Sequence, residues 1–202
     1  NTCTVTNIAD RKSRQMLHKA KKDNPNAVVV AAGCYVQEAG EKLLADEAVD
    51  IIVGNNRKGQ IVEVLEEYFK GRNIDNSFID INKTREYENL EINASLAHTR
   101  AYIKIQDGCN QFCTYCIIPF ARGRVRSREL PDVLQEIRTL AKSGYREVVL
   151  TGIHLSSYGV DNGESLLHLI EAGHELEGIE RIRLGSLEPR IVTDAFAKSL
   201  EA

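Results

Sequence analysis

Residues 108–116 read Gly108-Cys109-Asn110-Gln111-Phe112-Cys113-Thr114-Tyr115-Cys116, which places three cysteines in the spacing C-x3-C-x2-C. They follow directly on a strand-like run, Ala101 to Ile105. Three thiolates can hold three irons of a cubane cluster and leave the fourth iron open, whereas a fourth cysteine would close it. In barrels of parallel strands, reactive groups lie on the loops that follow the strands. The stretch therefore predicts a βα fold from this point onward, with metal chemistry on its first loop.

The composition limits the class of protein. The chain has 202 residues, of which 43% are hydrophobic and 27% charged, as expected for a globular protein of one large or two small domains. A net charge of −3 leaves any nucleic-acid binding to a local basic patch. No apolar run approaches transmembrane length, so we expect no membrane partner. Five cysteines, an odd number, favour metal ligation in a reducing compartment, and we expect a cytoplasmic protein.

The first part of the chain alternates helix and strand. Asn7 is predicted to cap a helix that runs to about Lys22. Predicted strands cover 27–32 and 49–53, with helices from about 37 and over 61–69. This alternation predicts a three-layer α/β domain over residues 1–75. Residues 76–98 are polar and are predicted to form a linker with one short strand, Phe78 to Ile81.

The βα pattern restarts in residues 99–202. Strands are predicted at 101–105, 147–150 and 182–184, each followed by a helical pattern. Three successive units with right-handed crossovers predict the first half of a partial (β/α) barrel. The chain opens on Asn1 without Met and ends within a helical pattern, so we expect both the first domain and the barrel to be truncated.

A structural zinc site is the main alternative for the three cysteines. His98 or His154 would then supply the fourth ligand. Structural zinc sites usually pair their cysteines as two C-x2-C knuckles, which this spacing does not do. The spacing therefore favours an iron–sulfur cluster.

A row of four arginines follows the cysteine loop at every second position: Arg122, Arg124, Arg126 and Arg128. If this stretch is extended, all four side chains point the same way. The row could then meet phosphates beside the metal site. The alternative is a solvated face with ion pairs.

Several motifs together resemble one family. The run from Gly108 to Pro119, with Arg122-Gly123 and Arg126-Ser127-Arg128, resembles the methylthiotransferases of the radical S-adenosylmethionine (SAM) superfamily. Asn1 to Thr6 and Gly33 to Gln37 resemble two cysteine motifs of that family's N-terminal domain. The resemblance spans nearly the whole chain. It implies an N-terminal methylthiotransferase domain followed by a radical SAM barrel.

The resemblance implies SAM and two [4Fe–4S] clusters as cofactors. Cys109, Cys113 and Cys116 would hold the cluster that binds SAM, and one electron from a donor such as flavodoxin or ferredoxin would generate a 5′-deoxyadenosyl radical. Cys3 and Cys34 would be two of three ligands of an auxiliary cluster that carries the sulfur to be inserted. The family's third ligand lies upstream of position 1. We therefore expect the 202-residue chain alone to hold this cluster poorly and to give no complete turnover.

Three further residues are candidates for SAM binding. By resemblance, Tyr115 would lie beside the adenine of SAM and Gly152 beside its amino group, while Glu188 could bind SAM or substrate. The alternatives are loop packing for Tyr115, an ordinary turn for Gly152 and a solvated carboxylate for Glu188. No catalytic side chain is predicted beyond the cluster ligands. For the adenosine substrates that the resemblance implies, the reaction begins at an unpolarised aromatic C–H bond, which no acid or base can activate.

The resemblance also points to a substrate. Thr4 to Asn7 and Ala9 to Gln15, after Cys3, look most like the family members that act on threonylcarbamoyladenosine. This implies a tRNA partner and methylthiolation at C2 of that adenosine, next to the anticodon. Isopentenyladenosine in tRNA and an aspartate of a ribosomal protein are the alternative targets. A non-catalytic metal-binding RNA module is the alternative of another class.

Overall fold

The computed structural model describes residues 1–72, 79–90 and 99–201. The chain divides into two compact units, one of residues 1–88 with 110–124 and one of residues 89–109 with 125–202. The predicted domains 1–75 and 99–202 differ from these units chiefly in residues 110–124, which group with the first unit. Of the strand predicted at Phe78 to Ile81, Phe78 lies outside the described residues, and residues 79–81 form no strand.

The first unit contains two strands and four helices among its described residues. The strands are β1 (Val30–Ala32) and β2 (Ile51–Val53), and the helices are α1 (Asn7–Asp23), α2 (Cys34–Ala39), α3 (Ile61–Phe69) and α4 (Ile118–Ala121). Strands β1 and β2 pair in parallel, with Val30 opposite Ile51. Thr2 adds an isolated parallel bridge to Gly33. Short 3-10 turns span Gly40–Ala45 and Lys58–Gln60.

The three-layer arrangement of the first unit is confirmed. Ala31 and Ile52 on one face of the sheet belong to a buried cluster with Leu17 of α1. Ile51 on the other face belongs to a cluster with Val64 of α3. Successive strand residues point to opposite faces, so strands buried on both sides read as continuous apolar runs.

The first helix begins one residue earlier than its predicted cap implies. Asn7 is already helical, and the cap is Thr6, whose hydroxyl oxygen accepts a hydrogen bond from the Ala9 N–H at 3.1 Å. Both residues can cap a helix. Thr6 takes the role because its backbone is extended, with φ −129° and ψ 150°.

The second unit contains the βα repeat. Its strands are β3 (Ala101–Asp107), β4 (Arg126–Ser127), β5 (Glu147–Gly152) and β6 (Arg181–Leu184), and its helices are α5 (Leu130–Lys142), α6 (Leu166–His174) and α7 (Asp194–Glu201). The sheet order is β4-β3-β5-β6, in which β3, β5 and β6 are parallel. The three predicted βα units are therefore confirmed. Strand β4, which the sequence did not predict, pairs antiparallel to β3.

One buried cluster joins the parallel strands to the helices of this unit. It includes Ile103, Ile105 and Leu150 from the strands and Ile137 and Leu169 from the helices. Burial of such side chains contributes about 1.5–3 kcal/mol each. This core fixes the carboxyl ends of β3 and β5, where the predicted site residues begin. No helix among the described residues is both long and apolar enough to cross a membrane.

Candidate metal centre

Cys3 and Cys34 follow paired positions on neighbouring strand segments. Thr2 bridges Gly33 in parallel, and the Cys34 N–H donates to the Thr2 carbonyl oxygen at 3.3 Å. The Thr2 N–H and hydroxyl both donate to the Ala32 carbonyl oxygen, at 2.6 and 2.7 Å. The two cysteines therefore lie at the carboxyl edge of the sheet.

A glycine is required immediately before Cys34. Gly33 has φ +108°, and a Cβ at this position would lie 2.6 Å from the carbonyl oxygen of Thr2. Both the left-handed backbone and the contact exclude a side chain. Gly33 thus allows the Thr2 backbone to approach closely enough to bring Cys3 next to Cys34.

The Cys34 sulfur lies among N–H donors. It is buried, with 1% of the residue exposed. The Arg122 Nε lies 2.9 Å from it and the Asn55 Nδ2 3.5 Å from it. Asn55 follows β2 at the same edge of the sheet, and its Nδ2 also donates to the Ala121 carbonyl oxygen at 2.6 Å. No motif in the sequence pointed to Asn55.

These surroundings fit an iron–sulfur ligand. Sulfur atoms bound to such clusters accept hydrogen bonds that help to set the cluster's reduction potential. All five cysteines are free thiols, so none is committed to a disulfide. Within the described part of the chain, no group of three or more His, Cys, Asp or Glu side chains is gathered for a metal ion. The assignment of Cys3 and Cys34 as ligands therefore remains a prediction.

The backbone leading to Cys109 is held by Gln106 in the second unit. This side chain is fully buried, and its Nε2 donates to the carbonyl oxygens of Asp107 and Gly108, both at 2.8 Å. Its Oε1 accepts a hydrogen bond from the His154 N–H, also at 2.8 Å. Gln106 therefore ties the end of β3 to the loop after β5. Sequence reasoning missed it, because a glutamine at a strand end carries no motif signal.

Cys113 and Cys116 belong to the first unit, whereas Cys109 belongs to the second. Cys113 is exposed and Cys116 half-buried, and a turn joins them through the Cys116 N–H and the Cys113 carbonyl oxygen at 2.9 Å. Phe112 has φ +47°, which is uncommon for a bulky residue. The Arg124 guanidinium carbon lies 4.3 Å from the Phe112 ring centroid. A common cluster ligand role for the three cysteines stays a prediction.

Tyr115 and Gly152 have different surroundings. Tyr115 is 91% exposed, so packing against its own chain does not explain an aromatic residue there. Gly152 pairs with Gln106 in the sheet, and a Cβ at 152 would lie 2.9 Å from the Gln106 Oε1. The close approach that requires Gly152 is thus made by Gln106. A SAM contact at either residue remains a prediction.

Glu188 lies beside Arg190 and His154. Its carboxylate lies 2.7 Å from the Arg190 Nη2 and 3.0 Å from the His154 Nε2. The hydrogen bond from Arg190, and then the neighbouring His154 ring, hold the pKa of Glu188 below its ordinary value. The carboxylate is therefore an ion-pair partner within the second unit, and SAM or substrate binding by it stays a prediction.

The zinc alternative at His154 stays a prediction. Its Nδ1 contacts the Ser157 hydroxyl, and its Nε2 lies 3.0 Å from the Glu188 carboxylate without the geometry of a hydrogen bond. A zinc ligand needs one ring nitrogen for the metal. His98, the other candidate ligand, lies outside the described residues.

The expectation that four arginines form one face is wrong. Arg122 follows α4 in a helical conformation, and Gly123 has φ +76°, so the chain turns there and is not extended. Arg126 and Arg128 are only 1% and 2% exposed. Buried residues cannot reach phosphates.

These two buried arginines pair with carboxylates that the alternating pattern does not include. The Arg126 Nη2 lies 3.7 Å from the Asp107 Oδ2, and the Arg128 Nη1 bonds to the Glu136 Oε2. Buried charges require such partners. Arg122 and Arg124, which are half-buried, remain candidates for RNA contact.

Comparison with known proteins identifies the family. Residues 1–54 match the model described as uncharacterized protein family UPF0004, and residues 103–201 match the radical SAM superfamily. The chain is 42% identical over 205 aligned positions to threonylcarbamoyladenosine tRNA methylthiotransferase MtaB of Bacillus subtilis, covering 100% of this chain and 45% of that protein. The chain belongs to the radical SAM methylthiotransferase family. The MtaB protein of Aquifex aeolicus is 44% identical over 93% of this chain and 46% of its own length.

Other family members and a solved structure add to this comparison. A tRNA-2-methylthio-N(6)-dimethylallyladenosine synthase of Clostridium tetani is 36% identical over 96% of the chain and 44% of its own length. The radical SAM methyltransferase TsrM of Kitasatospora setae matches with a TM-score of 0.63 at 17% identity, covering 99% of this chain and 46% of TsrM. That likeness shows a shared fold. The chain spans less than half the length of these curated relatives.

Proposed function

We propose that this methylthiotransferase modifies tRNA by adding a methylthio group at C2 of threonylcarbamoyladenosine, next to the anticodon. One observation carries the choice of substrate. The two MtaB proteins, whose names specify threonylcarbamoyladenosine, are 42% and 44% identical to this chain in alignments that cover nearly all of it. The dimethylallyladenosine synthase of Clostridium tetani is 36% identical. Adenosine carrying a dimethylallyl (isopentenyl) group is therefore the second candidate substrate.

Two separate groups of cysteines in this chain would bind the two clusters. Cys109, Cys113 and Cys116 would hold a [4Fe–4S] cluster with an open iron. Cys3 and Cys34 would contribute to the auxiliary cluster. When bound, the first cluster and SAM supply a carbon radical able to remove a hydrogen atom from an unactivated C–H bond.

Several side chains would position SAM near this loop. Gln106 holds the backbone on both sides of Gly108 through its two 2.8 Å hydrogen bonds, which fixes the point from which the cysteine loop departs. The exposed Tyr115 ring offers a face for the adenine of SAM. Fixing these groups before SAM binds would reduce the entropic cost of orienting it.

The partners follow from the proposed substrate. Arg124, held over the Phe112 ring at 4.3 Å, is the stronger candidate of the arginine row for contact with tRNA phosphate. Arg122 already bonds the Cys34 sulfur. The proposal includes a reducing donor such as flavodoxin or ferredoxin, and a cytoplasmic location with the tRNA.

Nucleoside analysis tests the substrate. The whole protein is expressed in cells that lack their own threonylcarbamoyladenosine methylthiotransferase, and digested tRNA is examined by mass spectrometry. We expect 2-methylthio-threonylcarbamoyladenosine, and none with a Cys113→Ser variant. Methylthiolated isopentenyladenosine instead would select the second candidate, and neither product from cluster-loaded protein would overturn the proposal.

Metal analysis separates an enzyme from a non-catalytic metal-binding RNA module. The protein is reconstituted anaerobically with iron and sulfide, reduced, and examined by EPR with and without SAM. We expect a [4Fe–4S]⁺ signal that changes when SAM is added, because SAM would occupy the open iron. Zinc without acid-labile sulfide would remove the radical mechanism.

A further inference from the structure

The contacts at the Cys34 sulfur point to a role for two residues that neither cluster motif includes. We infer that Arg122 and Asn55 are positioning residues for the auxiliary cluster, and that their hydrogen bonds to the Cys34 sulfur raise the reduction potential of that cluster. The inference rests on the proposed function, in which Cys34 is a cluster ligand. It goes further by assigning electronic control of that cluster to the segment after Cys116.

The first support is the geometry at the sulfur. The Arg122 Nε lies 2.9 Å from the Cys34 Sγ, well within the range for a hydrogen bond to sulfur, and the Asn55 Nδ2 lies at 3.5 Å. Cys34 is 1% exposed, so the donors at this sulfur are protein groups. One of these donors carries a full positive charge, and charge-assisted hydrogen bonds are roughly twice as strong as neutral ones.

The second support is that further bonds hold the Asn55 side chain and the Arg122 backbone. The Asn55 Nδ2 donates to the Ala121 carbonyl oxygen at 2.6 Å, and the Asn55 N–H donates to the Gln37 Oε1 at 3.0 Å. Asn55 is 2% exposed. The Arg122 N–H donates to the Ile118 carbonyl oxygen at 2.7 Å, which anchors this residue at the end of α4.

Asn55 therefore connects the end of β2 to two other parts of the first unit. It bonds the Cys34 sulfur and the Gln37 side chain, which both belong to α2, and a carbonyl of the segment that follows Cys116. A merely space-filling residue would not need an amide with donors aimed at both a sulfur and a carbonyl. These bonds hold Arg122 next to the Cys34 sulfur.

The physical consequence concerns the charge on the cluster. Reduction adds negative charge to a cluster and its sulfur ligands, and hydrogen-bond donors at those sulfurs stabilise the reduced state. Removing a charged donor should therefore lower the potential and make the cluster harder to reduce. A donor that served packing alone would change stability and leave the potential unaltered.

A redox titration tests the inference. The radical SAM cysteines are replaced by Cys109→Ala, Cys113→Ala and Cys116→Ala in the whole protein, so that the auxiliary cluster alone is observed. Its midpoint potential is then measured by EPR for this parent and for Arg122→Gln. We expect Arg122→Gln to shift the potential to a more negative value. Arg122→Lys, which keeps the charge but loses the planar donor, should shift it less.

Arg124→Gln is the matched control. It removes the same charge from the same segment, but Arg124 is held over the Phe112 ring. We expect its potential to equal that of the parent. Equal shifts for Arg122→Gln and Arg124→Gln would show an effect of net charge alone, and no shift for Arg122→Gln would likewise overturn the inference while leaving the proposed function intact.

Isotope labelling keeps the inference testable if the Arg122→Gln protein fails to fold. The parent is labelled with ¹⁵N-arginine, and pulsed EPR of the reduced cluster looks for a nitrogen coupling. We expect a coupling that is absent from the Arg122→Lys protein. A loaded cluster with no coupling would contradict the contact, and a parent without any cluster would overturn the ligand assignment together with the inference.

Discussion

Gln106 and Gly152 lie opposite each other on neighbouring parallel strands, with the glutamine side chain filling the space that a residue with a Cβ would need at 152. That Cβ would come within 2.9 Å of the Gln106 Oε1 and 3.0 Å of its Cβ. The same amide is bonded to the backbone on both sides of Gly108 and to His154. Displacing Gln106 would leave buried polar groups without partners.

Gly152→Ala is therefore expected to destabilise the second unit. Crowding against the buried Gln106 side chain should cost about 1–3 kcal/mol in the free energy of unfolding, as overpacking does elsewhere. Urea denaturation measures the change, with Gly185→Ala as the control, since a Cβ there would come no closer than 3.4 Å to another atom. We expect that control to differ by less than about 0.5 kcal/mol. Similar losses in both variants would contradict the explanation.

The buried pair of Arg128 and Glu136 gives a second prediction. Their side chains are 3% and 4% exposed and bond directly. Glu136→Gln removes the anion that bonds the buried Arg128 guanidinium, and breaking a buried ion pair costs about 3–5 kcal/mol of stability. Urea denaturation measures this loss.

The control for that pair is an exposed arginine. Arg72, with 67% of its side chain exposed, pairs with Glu67 at the surface. Such pairs contribute about 0–1 kcal/mol, so Arg72→Met should have a small effect. A Glu136→Gln protein as stable as Arg72→Met would show that the buried pair does not hold the second unit together.

Asp50 predicts how stability depends on pH. Its carboxylate accepts hydrogen bonds from the Lys21 Nζ at 2.8 Å and the Val29 N–H at 2.7 Å. Burial tends to raise the pKa of Asp50, but hydrogen bonds from Lys21 and the Val29 backbone outweigh it and hold the pKa below its ordinary value. The unfolded chain therefore takes up this proton first as the pH falls.

The stabilisation from Asp50 is thus present above about pH 4 and is lost as the pH falls through the lowered pKa of the folded state. Asp50→Asn should reduce stability at pH 7 and weaken the further loss between about pH 4 and pH 2. Thermal denaturation across this pH range measures both effects. Asp23→Asn, which alters an exposed carboxylate at the end of α1, should retain the wild-type profile.

Tyr115 separates ligand binding from packing. Because 91% of the residue is exposed, Tyr115→Ala should change the free energy of unfolding by less than about 0.5 kcal/mol. It should raise the dissociation constant for SAM about 5-fold or more, since an aromatic contact contributes roughly 1 kcal/mol. Calorimetry on the cluster-loaded protein measures this, with Phe69→Ala as an exposed aromatic control. Unchanged SAM affinity would remove Tyr115 from the site.

Much of the fold could be predicted from the sequence because its signals are local. Helix α5 begins with Leu130 and Pro131 and is followed by Gly144, which has φ +94°, so its bounds follow from residues at its two ends. The apolar runs of β1 and β2 likewise predict strands buried on both faces. Strand β4 has two residues, too few for any periodicity to show.

The parts of the site that sequence reasoning missed depend on partners that only the folded chain brings together. The arginines at every second position predicted a surface row that includes Arg126 and Arg128. That spacing does not show that Arg126 pairs with Asp107 and Arg128 with Glu136 in the folded chain. In the sequence, Asn55 looks like an ordinary turn residue. Only the fold shows that its amide lies 3.5 Å from the Cys34 sulfur. Tertiary contacts of this kind leave no local pattern.

The path of the chain through the first unit has a consequence for its synthesis. Residues 110–124 complete that unit, yet they follow residues 89–109, which belong to the other one. Asn55 can therefore bond the Ala121 carbonyl, and Arg122 the Cys34 sulfur, only after residue 122 has left the ribosome. Emerging domains usually fold in order from the N-terminus. Here the first unit cannot be completed before residues 110–124 have been made. We therefore expect the Cys34 thiol to be exposed on the nascent chain until the cysteine loop has been translated.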